Sequence, residues 1–206
     1  MTADPISRFL DPEDFRLNPT HFQHFLAHLQ ATNTPLPTID AMASSLNAQL
    51  PLFCARFHNR ANTHTDFFSV DWSAYQAIYL NPPFSVIPRV LAHLRQFTPQ
   101  HTYILTPHPH IHPHPVWWTW LHSRARRLLA LPLHRHLFTT LRNRHCAGHL
   151  APRNHHCITY LTAADFNHPS ADPVTPVPAD EWTFPVPPPP AAPSPPLPQL
   201  RWPLSH

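Results

Sequence analysis

Proline is the residue that most limits what this chain can fold into, because 30 of the 206 residues are proline and only one is glycine. Proline lacks the amide hydrogen that helix interiors and central strands require, so dense proline marks regions without regular structure. The prolines crowd the end of the chain, as in residues 185–190, which read PVPPPP. We therefore expect an irregular lead-in over residues 1–17, a folded domain over residues 18–166 and a disordered, extended proline-rich tail over residues 167–206.

The rest of the composition is biased in the same direction. Lysine is absent, so all 14 basic residues are arginine, and 20 residues are histidine. The codons of proline, histidine, threonine, leucine and alanine are rich in cytosine, and we interpret the bias as that of a cytosine-rich coding strand. Each histidine therefore has to be weighed against a high chance supply of histidines. One alternative that fits the composition is a translated reading frame with no folded product.

Cysteine use and hydropathy indicate where the protein resides. The three cysteines, Cys54, Cys146 and Cys157, do not form the set that a disulfide framework requires. No apolar run approaches the roughly 20 residues that cross a bilayer, and the N-terminus lacks a basic and apolar signal pattern. We predict a soluble intracellular protein, nuclear or cytoplasmic and not secreted, without membrane contact. Its net charge of +3 permits binding to nucleic acid but does not require it.

Hydrophobic spacing predicts an alternation of helices and short buried strands. Asn18-Pro19 is a typical helix start, and the apolar residues that follow at helical spacing are Phe22, Phe25, Leu26 and Leu29. Further helices are predicted over residues 85–97 and 117–130, and strands over residues 75–80, 101–106 and 158–161. The strand–helix–strand order across residues 75–106 predicts a parallel crossover and hence an α/β sheet.

The segment Asn81-Pro82-Pro83-Phe84 lies between a predicted strand and a predicted helix. Ligands of open α/β sheets bind at this position, beyond the carboxyl ends of the strands. Two prolines stiffen the turn and leave its carbonyls available as acceptors. Asn81 adds a side-chain carbonyl, and Phe84 adds a flat apolar face. The alternative is an ordinary Pro-Pro loop in a proline-rich chain.

This tetrapeptide resembles the Asn/Asp-Pro-Pro-Tyr/Phe motif of amino-methyltransferases that act on DNA bases. Its flanks extend the resemblance in order along the chain, through residues 38–51, 66–73, 81–91 and 103–107, the Trp117-Trp118 pair and Leu131-Pro132. The whole series is similar to the region after RNase H in DIRS-type retroelement polyproteins and to phage-type DNA adenine methyltransferases. Residues 3–8, Ala-Asp-Pro-Ile-Ser-Arg, resemble the closing signature of a retroelement RNase H domain.

The resemblance implies a Rossmann-like, methyltransferase-type sheet with flanking helices. It also implies a flipped adenine that stacks on Phe84 and donates its amine to Asn81 and to the Pro82 carbonyl, with S-adenosylmethionine as the methyl donor. Asp40, at the end of a predicted strand, is the candidate for cofactor contact, and Asp66 and Asp71 are weaker candidates because such residues often only cap turns. The glycine-rich cofactor turn of common methyltransferases is missing. We therefore expect a degenerate domain that is inactive or weakly active.

Arginine is concentrated in one third of the chain, which predicts a second kind of function. The residues are Arg124, Arg126, Arg127, Arg135, Arg142, Arg144 and Arg153. A solvated helix face and a surface that binds DNA or RNA phosphates both fit this pattern. The alternative function is therefore a non-catalytic nucleic-acid-binding remnant.

Histidine and cysteine suggest a third class, a metal-binding protein. Cys146, His149, His155 and Cys157 provide the two sulfurs and two nitrogens of a tetrahedral zinc site, although their spacing is not a familiar knuckle pattern. Residues 107–115 place four histidines at alternate positions, which suits zinc or copper but is also what a cytosine-rich repeat encodes.

The tail carries a possible partner site of its own. Pro195 and Pro198 have the separation found in ligands of proline-motif-binding modules, although Arg201 is one residue off the usual basic position. A solvated linker is the simpler interpretation.

Overall fold

A computed structural model describes residues 15–58, 60–107, 114–131, 137–140, 148–150 and 156–168. The RNase H-like signature and most of the predicted tail lie outside the described residues. Within them, no helix is long and apolar enough to cross a membrane.

The described chain contains ten strands and four α-helices. The strands are β1 (Phe15–Leu17), β2 (Ile39–Asp40), β3 (Leu52–Ala55), β4 (His64–Thr65), β5 (Ala77–Leu80), β6 (His101–Pro107), β7 (Arg127–Ala130), β8 (Phe138–Thr140), β9 (Gly148–Leu150) and β10 (His156–Thr162). The helices are α1 (Pro19–Ala31), α2 (Ile87–Gln96), α3 (Val116–His122) and α4 (Ala163–Asn167).

Seven strands form one mostly parallel sheet in the order β4-β3-β2-β5-β6-β10-β7. Neighbours from β4 to β6 are parallel, whereas β10 is antiparallel to both β6 and β7. The order runs backward from β4 to β2 and forward from β5 to β6, so it reverses between β2 and β5. This reversal is the topological switch point at which open α/β sheets bind ligands. A separate three-stranded sheet has the antiparallel order β1-β8-β9.

Successive side chains along a strand point to opposite faces of the sheet, and helices pack against both faces. On β5, Ala77 and Tyr79 join the cluster that contains Phe22 and Phe25 of α1. Ile78 and Leu80 join the cluster on the other face, which contains the apolar side of α2 and Leu121 of α3. The predicted α/β architecture, a mostly parallel sheet flanked by helices, is confirmed.

Local signals place the first two helices correctly. Asn18 accepts a hydrogen bond from the Thr20 amide at 2.9 Å and caps α1, with Pro19 in its first turn. Helix α2 begins two residues later than predicted, after a short 3₁₀ turn at Phe84–Val86. It buries Ile87, Val90, Leu91 and Leu94.

The prediction of one helix over residues 117–130 was wrong. Helix α3 ends at His122, and Arg127–Ala130 form strand β7, which pairs with β10. Leu128 and Leu129 bury on opposite faces of the sheet, Leu128 beside Trp118 and Leu129 in the α1 cluster. Two adjacent leucines fit a helix or a buried strand equally well in sequence, so the spacing could not distinguish them.

The prediction of an irregular lead-in over residues 1–17 was wrong for its last three residues. Phe15–Leu17 form strand β1, which pairs with Phe138–Thr140, and Leu17 is wholly buried in the α1 cluster. The folded part of the chain therefore begins before residue 18. The signal for this strand is its partner, which lies more than 100 residues away along the chain.

Candidate functional site at the sheet switch point

The two predicted site segments meet at the switch point. Asp40 ends β2, and Asn81 follows directly after β5, the strand that pairs in parallel with β2. Asp40 lies opposite Tyr79 in the register, so Asn81 is two residues further along the neighbouring strand. Strand geometry puts the two Cα atoms about 8 Å apart. Two residues that are 41 positions apart in the sequence therefore share one edge of the sheet.

The Pro-Pro turn is stiffened by its two prolines, and one of its carbonyls is already engaged in a hydrogen bond. The Pro83 carbonyl accepts the Val86 amide at 3.0 Å and so starts the turn into α2. Within the described residues, no group donates a hydrogen bond to the Pro82 carbonyl. The expectation that both carbonyls are available is therefore wrong for Pro83, whose carbonyl forms the hydrogen bond of the turn. The Pro82 carbonyl is still the acceptor that the resemblance assigns to the adenine amine.

Phe84 follows the two prolines and begins the 3₁₀ turn, and it is partly exposed. Its side chain is 38% exposed, although Pro82 beside it is buried. The ring centroid lies 6.0 Å from that of His156, the first residue of β10, and His156 contacts Phe138 at 4.7 Å. His156 and Phe138 could not be predicted at this site, because no local sequence pattern shows that an antiparallel strand returns to the carboxyl end of β6.

Asp40 is a buried carboxylate that organises the loop after β2. Its side chain is 2% exposed, and its Oδ2 accepts the Gln49 amide at 3.0 Å. The Gln49 side chain donates in turn to the Leu17 carbonyl. Burial, and secondarily the Asp40 charge, raise the pKa of Tyr79 well above its ordinary value. Asp40 therefore joins β1 and the loop to the central sheet.

The residues at the end of β2 differ from the glycine-rich cofactor turn of common methyltransferases. The Asp40 carboxylate is nearly inaccessible and is engaged by Gln49. Residues 41–43 read Ala-Met-Ala, so Cβ atoms stand where a glycine turn would let a ligand approach the backbone, and Ala41 is fully buried. The predicted contact between Asp40 and the cofactor stays a prediction.

The two weaker acidic candidates act as turn caps. Asp66 accepts the Phe68 amide at 3.2 Å, and Asp71 accepts the Ser73 amide at 3.0 Å. Both carboxylates start short 3₁₀ turns. Their hydrogen bonds are those of turn caps, as the sequence suggested.

The described arginines fall into two places. Arg124 lies over the Trp120 ring at 4.7 Å. Arg126 and Arg127 instead line a depression at the other edge of the sheet. Arg142 and Arg144 of the predicted nucleic-acid surface, as well as Arg135 and Arg153, lie outside the described residues.

Only one residue of the predicted zinc site can be described in full. Cys157 is a buried free thiol whose Sγ lies 3.5 Å from the Thr106 hydroxyl, and burial raises its pKa to about 11. Cys146 and His155 lie outside the described residues, as does the side chain of His149. Across the described residues, no group of three or more His, Cys, Asp or Glu side chains is placed to hold a metal ion. The zinc site stays a prediction.

Comparison with known proteins adds no family to this geometry. No protein-family model matches the chain, and no curated protein matches it either. Support for a function therefore comes from the sheet topology and from the residues at the switch point.

Proposed function

We propose that this chain carries a retroelement-derived DNA adenine methyltransferase-like domain that recognises an adenine base and is inactive or weakly active in methyl transfer. The observation that carries the proposal is the position of Asn81-Pro82-Pro83-Phe84 directly after β5, at the point where the strand order reverses. A Pro-Pro loop elsewhere on the surface would give no such support.

The architecture supports the same proposal. The order β4-β3-β2-β5-β6-β10-β7, with antiparallel β10 inserted beside the last strand, is compatible with the Rossmann-like, methyltransferase-type sheet that the resemblance implies. A fold of this kind hosts many activities, so the site residues have to provide the specificity.

The turn offers groups that suit a nucleobase. The Pro82 carbonyl and the Asn81 side-chain oxygen are acceptors, and an exocyclic amine of adenine is the matching donor. Phe84 offers an exposed aromatic surface, and stacking of a base on such a ring stabilises binding by about 1–3 kcal/mol. Because a base inside a duplex cannot reach this turn, single-stranded DNA or a flipped base is the expected ligand.

The low methyl-transfer activity that we propose is based on the residues at the end of β2. Asp40 is buried under the Gln49 amide, and the Ala-Met-Ala segment replaces a glycine turn. A cofactor site has to be preorganised to bind tightly, and these two features support the proposal that this segment binds S-adenosylmethionine weakly or not at all. Base recognition by residues 81–84 does not depend on that segment.

Titration of the full chain with single-stranded oligonucleotides tests the proposal. We expect an oligonucleotide with one adenine in a thymine context to bind more tightly than the all-thymine oligonucleotide, and Asn81→Ala to abolish the preference. Asn167→Ala, an exposed asparagine at the end of α4, is the matched control and should retain it. Equal affinities for the two oligonucleotides in the unsubstituted chain would contradict adenine recognition.

S-adenosylmethionine is tested separately with the same protein. We expect no saturable binding at micromolar concentration by isothermal titration, and little or no methyl transfer to the adenine oligonucleotide. Binding at that concentration that is lost in Asp40→Asn would show an intact cofactor site. It would then replace the inactive-domain proposal with an active one.

A further inference from the structure

A depression of about 740 Å³ lies at the edge of the sheet opposite Asn81. Thr162, the last residue of β10, is opposite His101, the first residue of β6, and Arg127 begins β7 at the same edge. The depression is lined at this edge by Arg127 of β7 and Tyr160 of β10, and on the other side by the chain that leaves α1. Its lining is largely polar and includes Arg126, Arg127 and Asn33.

The guanidinium of Arg126 is held in place through its Nε atom. Its Nε donates to Asp165 Oδ2 at 2.8 Å and to the Thr162 hydroxyl at 3.1 Å. Asp165 is 7% exposed and is fixed by the Thr162 amide at 2.7 Å. In the described part of the chain, the two terminal nitrogens of Arg126 donate no hydrogen bond. A guanidinium carries five N–H groups, so most of its donors remain available at a fixed position.

Arg127 adds a positive charge that no carboxylate of the described residues balances. The ion pair of Arg126 with Asp165 is internally neutral, and Arg127 makes no ion pair with any carboxylate among the described residues. The charge of Arg127 acts on buried His28, whose pKa is lowered first by burial and then by this arginine. The depression therefore has a local excess of positive charge beside a set of fixed donors.

The α1 side of the depression is compatible with an anion. The C-terminal carbonyls of a helix repel anions, but here the Thr32 amide donates to the His28 carbonyl at 3.0 Å and the Thr34 amide to the Leu29 carbonyl at 2.8 Å. Asn33 between them is exposed and has a left-handed backbone with φ of 49°, which asparagine tolerates. Its side-chain amide is a further donor at the rim.

We infer that this depression binds a phosphate group, held by Arg126 and Arg127 with Asn33 at the rim. The planar guanidinium fork matches two oxygens of a phosphate, and paired arginines select it over neutral ligands. A free nucleotide phosphate and a phosphodiester of single-stranded nucleic acid share this chemistry. The inference goes beyond the proposed function, because the depression lies at the opposite edge from the adenine site.

Chemical-shift titration of the ¹⁵N-labelled full chain tests the inference. The probes are inorganic phosphate and an all-thymine oligonucleotide of about ten nucleotides, a length suited to one single-strand site. We expect saturating shifts of the Asn33, Arg127 and Ala164 amides with phosphate. Arg127→Gln should weaken binding roughly tenfold, the effect of losing one charged hydrogen bond. Arg95→Gln, which removes an exposed charge from α2, should leave it within about twofold.

Asn33→Gly provides a second variant, because glycine keeps the left-handed backbone and removes only the amide. We expect it to weaken binding about threefold without changing the spectrum elsewhere. Tighter, salt-sensitive binding of the oligonucleotide at these same amides assigns the phosphate to a nucleic-acid backbone, whereas binding of phosphate alone assigns it to a small molecule. Equal losses in Arg127→Gln and Arg95→Gln, or an absence of saturating shifts, would overturn the inference. The all-thymine probe and an Asn81→Ala background separate this result from the fate of the adenine site.

Discussion

The ring of Phe84 lies 6.0 Å from the ring of His156, and the two planes are inclined by 39°. His156 is 6% exposed, whereas Phe84 is 38% exposed, so the Phe84 ring contacts a buried side chain and is itself partly open to solvent. A ring held in this way loses little conformational freedom when a base stacks on it.

Replacement of this ring should reduce binding more than stability. We expect Phe84→Ala to weaken binding of the adenine oligonucleotide roughly tenfold, because stacking contributes about 1–3 kcal/mol per base. Fluorescence anisotropy of a labelled oligonucleotide measures the affinity, and chemical denaturation measures the free energy of unfolding. The partial exposure of the ring should keep the loss of stability below the about 3–5 kcal/mol of a fully buried phenylalanine.

Phe57 provides the matched aromatic control for this prediction. It is 49% exposed and follows β3, which is separated from β5 by β2. Phe57→Ala should leave adenine binding nearly unchanged. Equal losses in the two variants would mean that exposed rings contribute nonspecifically and that Phe84 is not the base platform.

The parts of the fold that the sequence predicts well are those with local signals. Helix α1 carries its own cap at Asn18-Pro19, and the segment from β5 to β6 follows the strand–helix–strand order that dictates a parallel crossover. Asp40 was placed correctly at the end of a strand, although that strand is only two residues long. In each case the decisive residues lie within about one turn of the boundary.

The parts that the sequence does not predict depend on distant partners. Strand β1 exists because it pairs with β8, and β7 is a strand because it pairs with β10. The hydrogen bond from the Gln49 amide to Asp40 and the ring contact between Phe84 and His156 are likewise tertiary contacts. The sequence therefore indicates that Asp40 and Asn81 lie at strand ends, but it does not indicate the contacts that surround them.

Asp165 accepts three hydrogen bonds. We expect it to contribute more to stability than the other described carboxylates do, at the edge of the sheet opposite Asn81. Its Oδ2 accepts from the Thr162 amide, the Thr162 hydroxyl and Arg126 Nε at 2.7, 2.6 and 2.8 Å. We expect Asp165→Asn to lower the free energy of unfolding by about 1–2 kcal/mol, because it disrupts a helix cap and leaves donors poorly paired. Arg126→Gln should lower it by less than about 1 kcal/mol, since that side chain is 53% exposed.

A double-mutant cycle separates these two contributions. The coupling between Asp165→Asn and Arg126→Gln should be below about 1 kcal/mol if the helix cap dominates. Asp71→Asn, at an exposed turn cap, should change stability less than Asp165→Asn does. A larger loss in Arg126→Gln than in Asp165→Asn would contradict this order.

Cys54 and Cys157 should not react with thiol reagents while the chain is folded. Burial raises the pKa of Cys54 to about 12 and that of Cys157 to about 11, with the Asp66 and Asp40 charges adding to the effect on Cys54. In a Cys146→Ser variant at pH 8, we expect no release of chromophore from Ellman's reagent until denaturant unfolds the protein. An exposed cysteine introduced as Ser45→Cys should react at once.

The same thiols test the predicted zinc site. A cysteine that binds zinc does so as the thiolate, so metal binding would have to overcome the raised pKa of Cys157. If the predicted site forms, zinc should raise the midpoint of thermal unfolding in the unsubstituted chain, and this rise should be absent in Cys157→Ser and in Cys146→Ser. A rise that survives both substitutions would exclude these two cysteines as ligands.

Stability should fall as the solution is acidified from pH 7 to pH 5, and His101 should contribute to the fall. Burial, followed by the Arg126 charge, lowers the pKa of His101 below its ordinary value of 6.5 in the folded chain. The unfolded chain therefore binds a proton at a pH where the folded chain does not. Stability from this residue is fully present above the unfolded pKa and is lost as the pH falls through it toward the folded pKa.

Chemical denaturation at several pH values measures this dependence as a slope. His101→Gln should lower stability at pH 7, because the ring accepts or donates a 2.9 Å hydrogen bond with the Tyr160 hydroxyl and stacks on that side chain. It should also make the slope between pH 7 and pH 5 shallower, which a purely structural role would not do. His58→Gln, at an exposed position, should leave the slope unchanged. A slope equally steep in His101→Gln would show that other groups, such as His28, carry the whole dependence.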